Sequence, residues 1–131
     1  MAAFAFKEGE SIPEIKVTPD KYLTVRYAGA SGDFNPIHID EEFAKQVGLP
    51  GRILHGLWTM AQVSRAITDA AGGPEKLRRL SVQFRGMGRL GEEIVVSGTV
   101  TQADGATATI EAEAAQSGNR IIRNAVAEVT V

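Results

Sequence analysis

The spacing of hydrophobic residues changes along the chain, from helical periods in the first half to alternation in the second. Lys16, Val17 and Thr18 form a short extended piece ending at Pro19 and Asp20, where Thr18 or Asp20 can cap a helix and Pro19 suits its first turn. Tyr22, Val25, Arg26 and Gly29 follow at helical spacing, and the helix is expected to stop near Gly32. Between Asp33 and Ile39, Pro36 bars Asn35 from the helical region, so this stretch is predicted to be extended or turning. Asp40 then serves as N-cap of a second short helix. Glu41 and Glu42 occupy its positive first turn, Phe43, Ala44 and Val47 face inward, and Gly48 ends it. Gly56 to Ala71 is apolar around most of its circumference, which predicts a buried helix, and Gly72, Gly73 and Pro74 stop it.

After that helix the pattern becomes strand-like. Leu80 to Arg85, Glu93 to Gln102, Ala106 to Gln116 and Ile121 to Val131 are separated by short glycine-containing turns, which predicts an antiparallel meander. Ala106, Ala108, Ile110, Ala112 and Ala114 alternate with Thr107, Thr109, Glu111 and Glu113, giving one apolar face of small residues and one wet face. A face that small leaves room for a long helix, and Gly56 to Ala71 is the helix available. The expected fold class is therefore α+β: a single domain over residues 1–131, with one antiparallel sheet wrapped around one central helix. Such a layer keeps an open face and an exposed edge, so dimerisation is expected.

Composition narrows the function without naming it. A length of 131 residues suits one core, and 44% hydrophobic with 23% charged residues excludes disorder as the main state. A net charge of −2 offers neither a broad basic field for nucleic acid nor a polybasic track for a membrane. The absence of cysteine removes disulfides, thiolate nucleophiles and zinc sites of the finger or ribbon kind. The longest stretch without charge, Ile53 to Ser64, is too short to span a bilayer. The apolar start, Met1 to Phe6, runs directly into Lys7, Glu8 and Glu10, the reverse order of a secretion signal. A cytoplasmic location and a small-molecule ligand are the resulting expectations.

The segment that could carry chemistry is Gly32-Asp33-Phe34-Asn35-Pro36-Ile37-His38, followed by Leu54-His55-Gly56 at the start of the central helix. Asp33 and His38 would lie roughly 16 Å apart on an extended chain and can share a site only if the backbone folds back, for which Asn35-Pro36 is a turn signal. Read alone, Asp33 can be a loop brace and His38 a structural histidine. The whole segment, however, resembles the Gly-Asp-x-Asn-Pro-x-His signature of the MaoC-like dehydratases, also called R-specific enoyl-CoA hydratases or hydratase 2. The resemblance extends to Ile39-Asp40 with Phe43-Ala44, to Ile53-Leu54-His55-Gly56-Leu57, and to Val82-Gln83-Phe84-Arg85 ahead of Gly91-Glu92.

That resemblance implies a dimeric hot-dog fold and reversible syn addition of water to a trans-2-enoyl thioester, giving the (3R)-hydroxyacyl thioester without metal or organic cofactor. It implies Asp33 and His38 as the catalytic pair. An imidazole can take a proton from water near neutral pH, and Asp33 would hold the same water and exchange the α-proton, a role that asks for apolar surroundings. Which of the two moves which proton is left open. Gly56 is the candidate oxyanion donor through its backbone N–H, unpaired in the first turn of a helix, although it can equally serve only a tight helix entry. Asn35 is expected to orient the loop or the substrate site through its amide, and Ser64 is the serine that the resemblance places near the aspartate. His55 is read as a positioning or packing residue, and Trp58 and Met60 as core or acyl-pocket wall. Arg52, Arg78, Arg79, Arg85 and Arg89 ring a mouth for coenzyme A phosphates or an acyl carrier protein, or else guard a strand edge. A homodimer is expected, or a heterodimer with another hot-dog chain. The competing functions are a hot-dog acyl thioesterase and a non-catalytic acyl-binding subunit.

Overall fold

The computed structural model describes residues 4–131, so Met1, Ala2 and Ala3 of the apolar start lie outside the described residues. A short strand β1 (Ile15–Val17) leads to three helices, α1 (Leu23–Ser31), α2 (Pro36–Ile39) and α3 (Glu41–Gln46). The long helix α4 (Gly56–Ala71) follows, then a single 3₁₀ turn (Pro74–Lys76) and strands β2 (Leu77–Phe84), β3 (Ile94–Ala103), β4 (Thr107–Gln116) and β5 (Asn119–Thr130). The five strands form one sheet in the order β1-β3-β4-β5-β2, with every pairing antiparallel. The connections β3-β4-β5 are the expected meander, and α4 lies against β2, β3, β4 and β5. This is the hot-dog arrangement.

The seat of the helix is written in cross-strand rows. Gly98 pairs with Ala112, which pairs with Ala125, a row with almost no side-chain height. It is flanked by the row Val96, Ala114, Ile122 and by the row Val100, Ile110, Ala127, all buried. Against this face α4 presents Thr59, Gln62, Val63, Ala66, Ile67 and Ala70. Glycine fits closely at Gly98, because a Cβ there would lie 3.1 Å from the Ile110 side chain and 3.2 Å from both the Glu111 carbonyl and Ile12, so these neighbours would have to give by a few tenths of an ångström. Ile12 reaches this spot because the N-terminal segment continues along β3, with the Ile12 N–H donating to Gly98 O at 3.0 Å.

Four expectations need correction. The first helix begins at Leu23 rather than near Pro19, because the Asp20 carboxylate accepts from the Tyr22 N–H at 2.8 Å and from Arg26 at 2.9 Å, forming a local turn that competes with helix. The Arg26 guanidinium and then the Tyr22 N–H hold the Asp20 carboxyl below its ordinary range. Asn35 is extended, at φ −54° and ψ 126°, and its side chain caps the short helix α2, as a turning stretch requires, but on α3 only Ala44 faces inward, because Phe43 and Val47 are exposed. The sheet begins three residues earlier than expected, at Leu77, since Pro74 confines the preceding turn to Pro74–Lys76. Finally, α4 is buried on one side only. Leu57, Ala61, Arg65 and Asp69 form an exposed stripe at i, i+4 spacing, because one sheet covers one face of a helix. No helix of the described residues is long and apolar enough to cross a membrane.

The packing makes a direct prediction. Ala125 is fully buried in the low row, so Ala125→Leu should cost about 1–3 kcal/mol by overpacking, and Ile67→Ala about 2–5 kcal/mol by leaving a cavity. Urea unfolding of both variants checks this, and an unshifted midpoint for Ala125→Leu would mean that the helix does not press on that row.

Candidate active site

The site is assembled by three stretches that meet above the N-terminus of α4. Helix α1 ends at Gly32, which takes φ +80° and returns its N–H to Ala28 O at 2.8 Å, a left-handed stop that favours glycine. The chain turns again at once, since Asp33 Oδ1 accepts from the Asn35 N–H at 3.2 Å and Asn35 Oδ1 accepts from the Ile37 N–H at 3.2 Å. With Pro36 at the first helical position, these two side-chain caps fold the five-residue interval back on itself. Asp33 Oδ2 thereby comes to 4.0 Å from His38 Nε2, the juxtaposition that the sequence required.

Both histidines are buried, and both have their tautomer set by a backbone carbonyl. His38 Nδ1 lies 2.8 Å from Ile53 O, and a carbonyl only accepts, so Nδ1 carries the proton. In neutral His38 the lone pair is therefore on Nε2, on the side of Asp33. His55 Nε2 lies 3.0 Å from Asp33 O, which makes His55 the Nε2–H tautomer. Its Nδ1 is buried without a partner among the described residues. The two rings stack with centroids 3.9 Å apart and planes 22° apart, and the Tyr27 ring packs on His55 at 4.7 Å. The Ile53 N–H donates in turn to Ile37 O at 3.1 Å. Three cross-links thus tie the Asp33–His38 turn to the entry of α4, and one of them, from His55, was not legible as a hydrogen bond in the sequence because its partner is a backbone atom.

His55 is the N-cap of α4 but supplies no side-chain cap. Its carbonyl accepts from the Trp58 and Thr59 N–H groups at 3.1 and 3.4 Å, while the Gly56 N–H takes no partner among the described residues. It stands at the positive end of a 16-residue helix. A Cβ on Gly56 would lie 3.1 Å from the Phe84 ring, so glycine here also allows a close approach of β2. The Asn35 side chain acts on the backbone as a cap, accepting from the Ile37 N–H. Ser64 is half-buried, eight residues along α4 from Gly56, and is joined to Asp33 by no hydrogen bond among the described residues. The apolar surroundings expected for Asp33 are not supplied by this chain alone: its side chain is 52% exposed. Phe34, Leu57 and Phe84 are exposed as well. Of the expected arginine ring, Arg52 is turned to Glu41 at 3.3 Å and Arg78 and Arg79 stand at the far end of β2.

Asp33, His38 and His55 each bring a possible ligand atom within 4.8 Å of the others. A metal ion needs its imidazole lone pairs to converge at about 2.0–2.1 Å, whereas two stacked rings hold theirs in separate planes. The arrangement fits a proton-transfer pair with a braced base better than a metal site.

The family can now be read from comparison. Residues 6–125 match the MaoC like domain. The chain belongs to the MaoC-like dehydratase family. A solved MaoC-like dehydratase superposes with a TM-score of 0.89 at 31% identity, over 97% of this chain and 42% of that one. The chain is 44% identical over 73 residues to the fatty acid synthase subunit beta of Aspergillus oryzae, covering 53% of this chain and 4% of that protein. It is 38% identical over 76 residues to the peroxisomal enoyl-CoA hydratase 2 of Arabidopsis thaliana, covering 56% of this chain and 24% of that protein. The chain thus spans less than half the length of each of these relatives.

The tautomers are directly measurable. In a long-range ¹H–¹⁵N spectrum near pH 7.5, His38 should show a protonated Nδ1 and His55 a protonated Nε2. The reverse assignment for His38 would remove the lone pair that faces Asp33.

Proposed function

We propose that this MaoC-like chain reversibly hydrates trans-2-enoyl thioesters to (3R)-hydroxyacyl thioesters, carried by coenzyme A or an acyl carrier protein, with no metal or organic cofactor. The observation that carries the reading is the His38 imidazole, held by Ile53 O with its Nε2 lone pair 4.0 Å from the Asp33 carboxylate. That separation is too long for a direct hydrogen bond, and a water about 2.8 Å from each group would bridge it.

Those positions support the following assignment of the steps, in which His38 is the base and Asp33 the acid. His38 Nε2 takes a proton from the water as its oxygen bonds to the β-carbon. The C=C electron pair moves to the thioester, whose oxygen becomes an enolate stabilised by the Gly56 N–H and the α4 dipole. The protonated Asp33 carboxyl delivers its proton to the α-carbon on the same face. The proton on His38 then returns to Asp33, so one water is added and both side chains are restored. Asn35 serves by capping the turn that holds Asp33, and Ser64 by lining the acyl path along α4. The relatives' names, an enoyl-CoA hydratase and a fatty acid synthase subunit, support a thioester of fatty acid metabolism as substrate.

The working unit in this proposal is a homodimer. Among the described residues the outer edge of β2 is unpaired, and Phe34, Leu57 and Phe84 are exposed, as is half of Asp33. A second copy on that side would bury the apolar groups and give the carboxyl the dry surroundings that acid catalysis needs. Apolar burial of this kind also forms the walls of an acyl pocket.

The test follows absorbance of the enoyl-thioester band with crotonyl-CoA and a longer enoyl-CoA, with chiral analysis of the product. The wild type should consume the band and yield the (3R) alcohol, while Asp33→Asn and His38→Ala should each lower kcat by roughly 10²–10⁴-fold. Folded protein that hydrates neither coenzyme A nor carrier-protein thioesters, or that releases free thiol instead, would overturn the reading. Dialysis against a chelator should leave the rate unchanged. A loss restored by a divalent metal would contradict the cofactor-free mechanism.

A further inference from the structure

Ser31 is the last residue of α1, exposed and two positions before Asp33. Its hydroxyl oxygen lies 2.7 Å from Tyr27 O and 3.1 Å from the Asp33 nitrogen. A carbonyl only accepts and a peptide N–H only donates, so the single hydroxyl proton goes to Tyr27 O and an oxygen lone pair faces the Asp33 N–H. A helical serine that bonds back four residues commonly ends its role there. Here the second bond carries the hold out of the helix. Three alternate side chains then bond the backbone N–H two residues on: Ser31 Oγ accepts from Asp33, Asp33 Oδ1 from Asn35 and Asn35 Oδ1 from Ile37. This ladder runs without a gap from the end of α1 to His38, whose own N–H donates to Asn35 O at 3.0 Å.

Asp33 is thereby held at every polar atom but one. Ser31 holds its N–H, the His55 Nε2–H holds its carbonyl at 3.0 Å, and the Asn35 N–H holds Oδ1. Oδ2 takes no hydrogen bond among the described residues, and it is the oxygen 4.0 Å from His38 Nε2. The holds also close a ring. Ser31 is anchored to Tyr27 O, the Tyr27 ring packs on His55, and His55 returns to the Asp33 carbonyl. Bonds to its N–H and to its carbonyl fix the peptide planes on both sides of the Asp33 Cα, and with them the direction in which the side chain leaves. With that side chain 52% exposed, hydrogen bonds rather than packing within this chain set the direction.

We propose that Ser31 is a positioning residue: its hydroxyl, anchored on Tyr27 O, holds the Asp33 backbone so that Oδ2 alone is left to carry the acid proton and faces the water shared with His38. Ser31 itself touches neither His38 nor the reacting atoms. Its effect passes through the direction of one carboxyl, and displacing a reacting group by about 1 Å can cost about 10²-fold in rate. The consequence for rate rests on the hydratase reading. The hold on Asp33 does not.

The test separates the hydroxyl from the shape that carries it. Ser31→Thr keeps the hydroxyl, Ser31→Val replaces it with a methyl on a side chain of nearly the same form as threonine, and Ser31→Ala removes it without adding bulk. In hydration of an enoyl-CoA, the Val and Ala variants should lower kcat roughly tenfold or more, with KM within about twofold of wild type, and Ser31→Thr should restore most of the rate. Thermal unfolding of the Thr and Val variants should coincide, and if Ser31→Val does not fold, Ser31→Ala against Ser31→Thr carries both readouts. Independently of turnover, the χ1 rotamer of Asp33, read by NMR from three-bond couplings to its Cγ, should be single in wild type and Ser31→Thr and averaged in the variants without the hydroxyl. Wild-type protein that shows this rotamer pattern but hydrates nothing leaves the hold on Asp33 standing and overturns the proposed function. Equal kcat in all variants, a loss that falls on KM alone, a Thr variant as slow as the Val variant, or one Asp33 rotamer throughout overturns the assignment of Ser31.

Discussion

The seat of α4 in the sheet is the constraint on which the other features depend. A helix can lie across strands only where the strands keep their side chains low, and the row Gly98, Ala112, Ala125 does this beneath a helix face of Val63, Ala66, Ile67 and Ala70. Once α4 is seated, the position of its N-terminus is set, and with it His55 and Gly56. The Leu54 to Gly88 hydrogen bond holds the approach to that terminus against the segment following β2.

From that fixed point the chemistry is organised by backbone carbonyls rather than by charge pairs. Ile53 O sets the tautomer of His38, and Asp33 O sets that of His55. The His55 ring supports the His38 ring by stacking, with Tyr27 behind it. Such bracing suits a general base, whose lone pair must keep one direction while its protonation changes. It also accounts for a turn as tightly capped as Asp33 to Ile37, where two side chains bond backbone N–H groups two residues on. The half-exposed Asp33 and the exposed Phe34, Leu57 and Phe84 mark where a single chain leaves the site open.

Much of this was legible in the sequence because it is local. The bounds of α4, Gly56 to Ala71, follow from its apolar run and the Gly72-Gly73-Pro74 stop, and the Asp40 cap of α3 from one residue type in one place. Alternation in β4 disclosed the alanine face. Local competition misled elsewhere: Asp20 forms a turn of its own before α1. The rest is long-range. Nothing near His55 reveals a bond to a carbonyl 22 residues away, and nothing near Arg120 or Arg123 reveals that they line one cleft with Arg85 and Arg89. On the exposed stripe of α4, Leu57 and Ala61 extend the apolar run and imply burial that one sheet does not provide, whereas Arg65 and Asp69 on the same stripe already mark a wet side.

The central claim is that Asp33 and His38 act from one side on a single water and the carbon it attacks. Hydration of an enoyl thioester in deuterium oxide, with the product's coupling constants read by NMR, tests it most directly. The account predicts one diastereomer, with the hydroxyl and the α-deuterium added to the same face. Anti addition, or a mixture of faces formed at the rate of turnover, would contradict it.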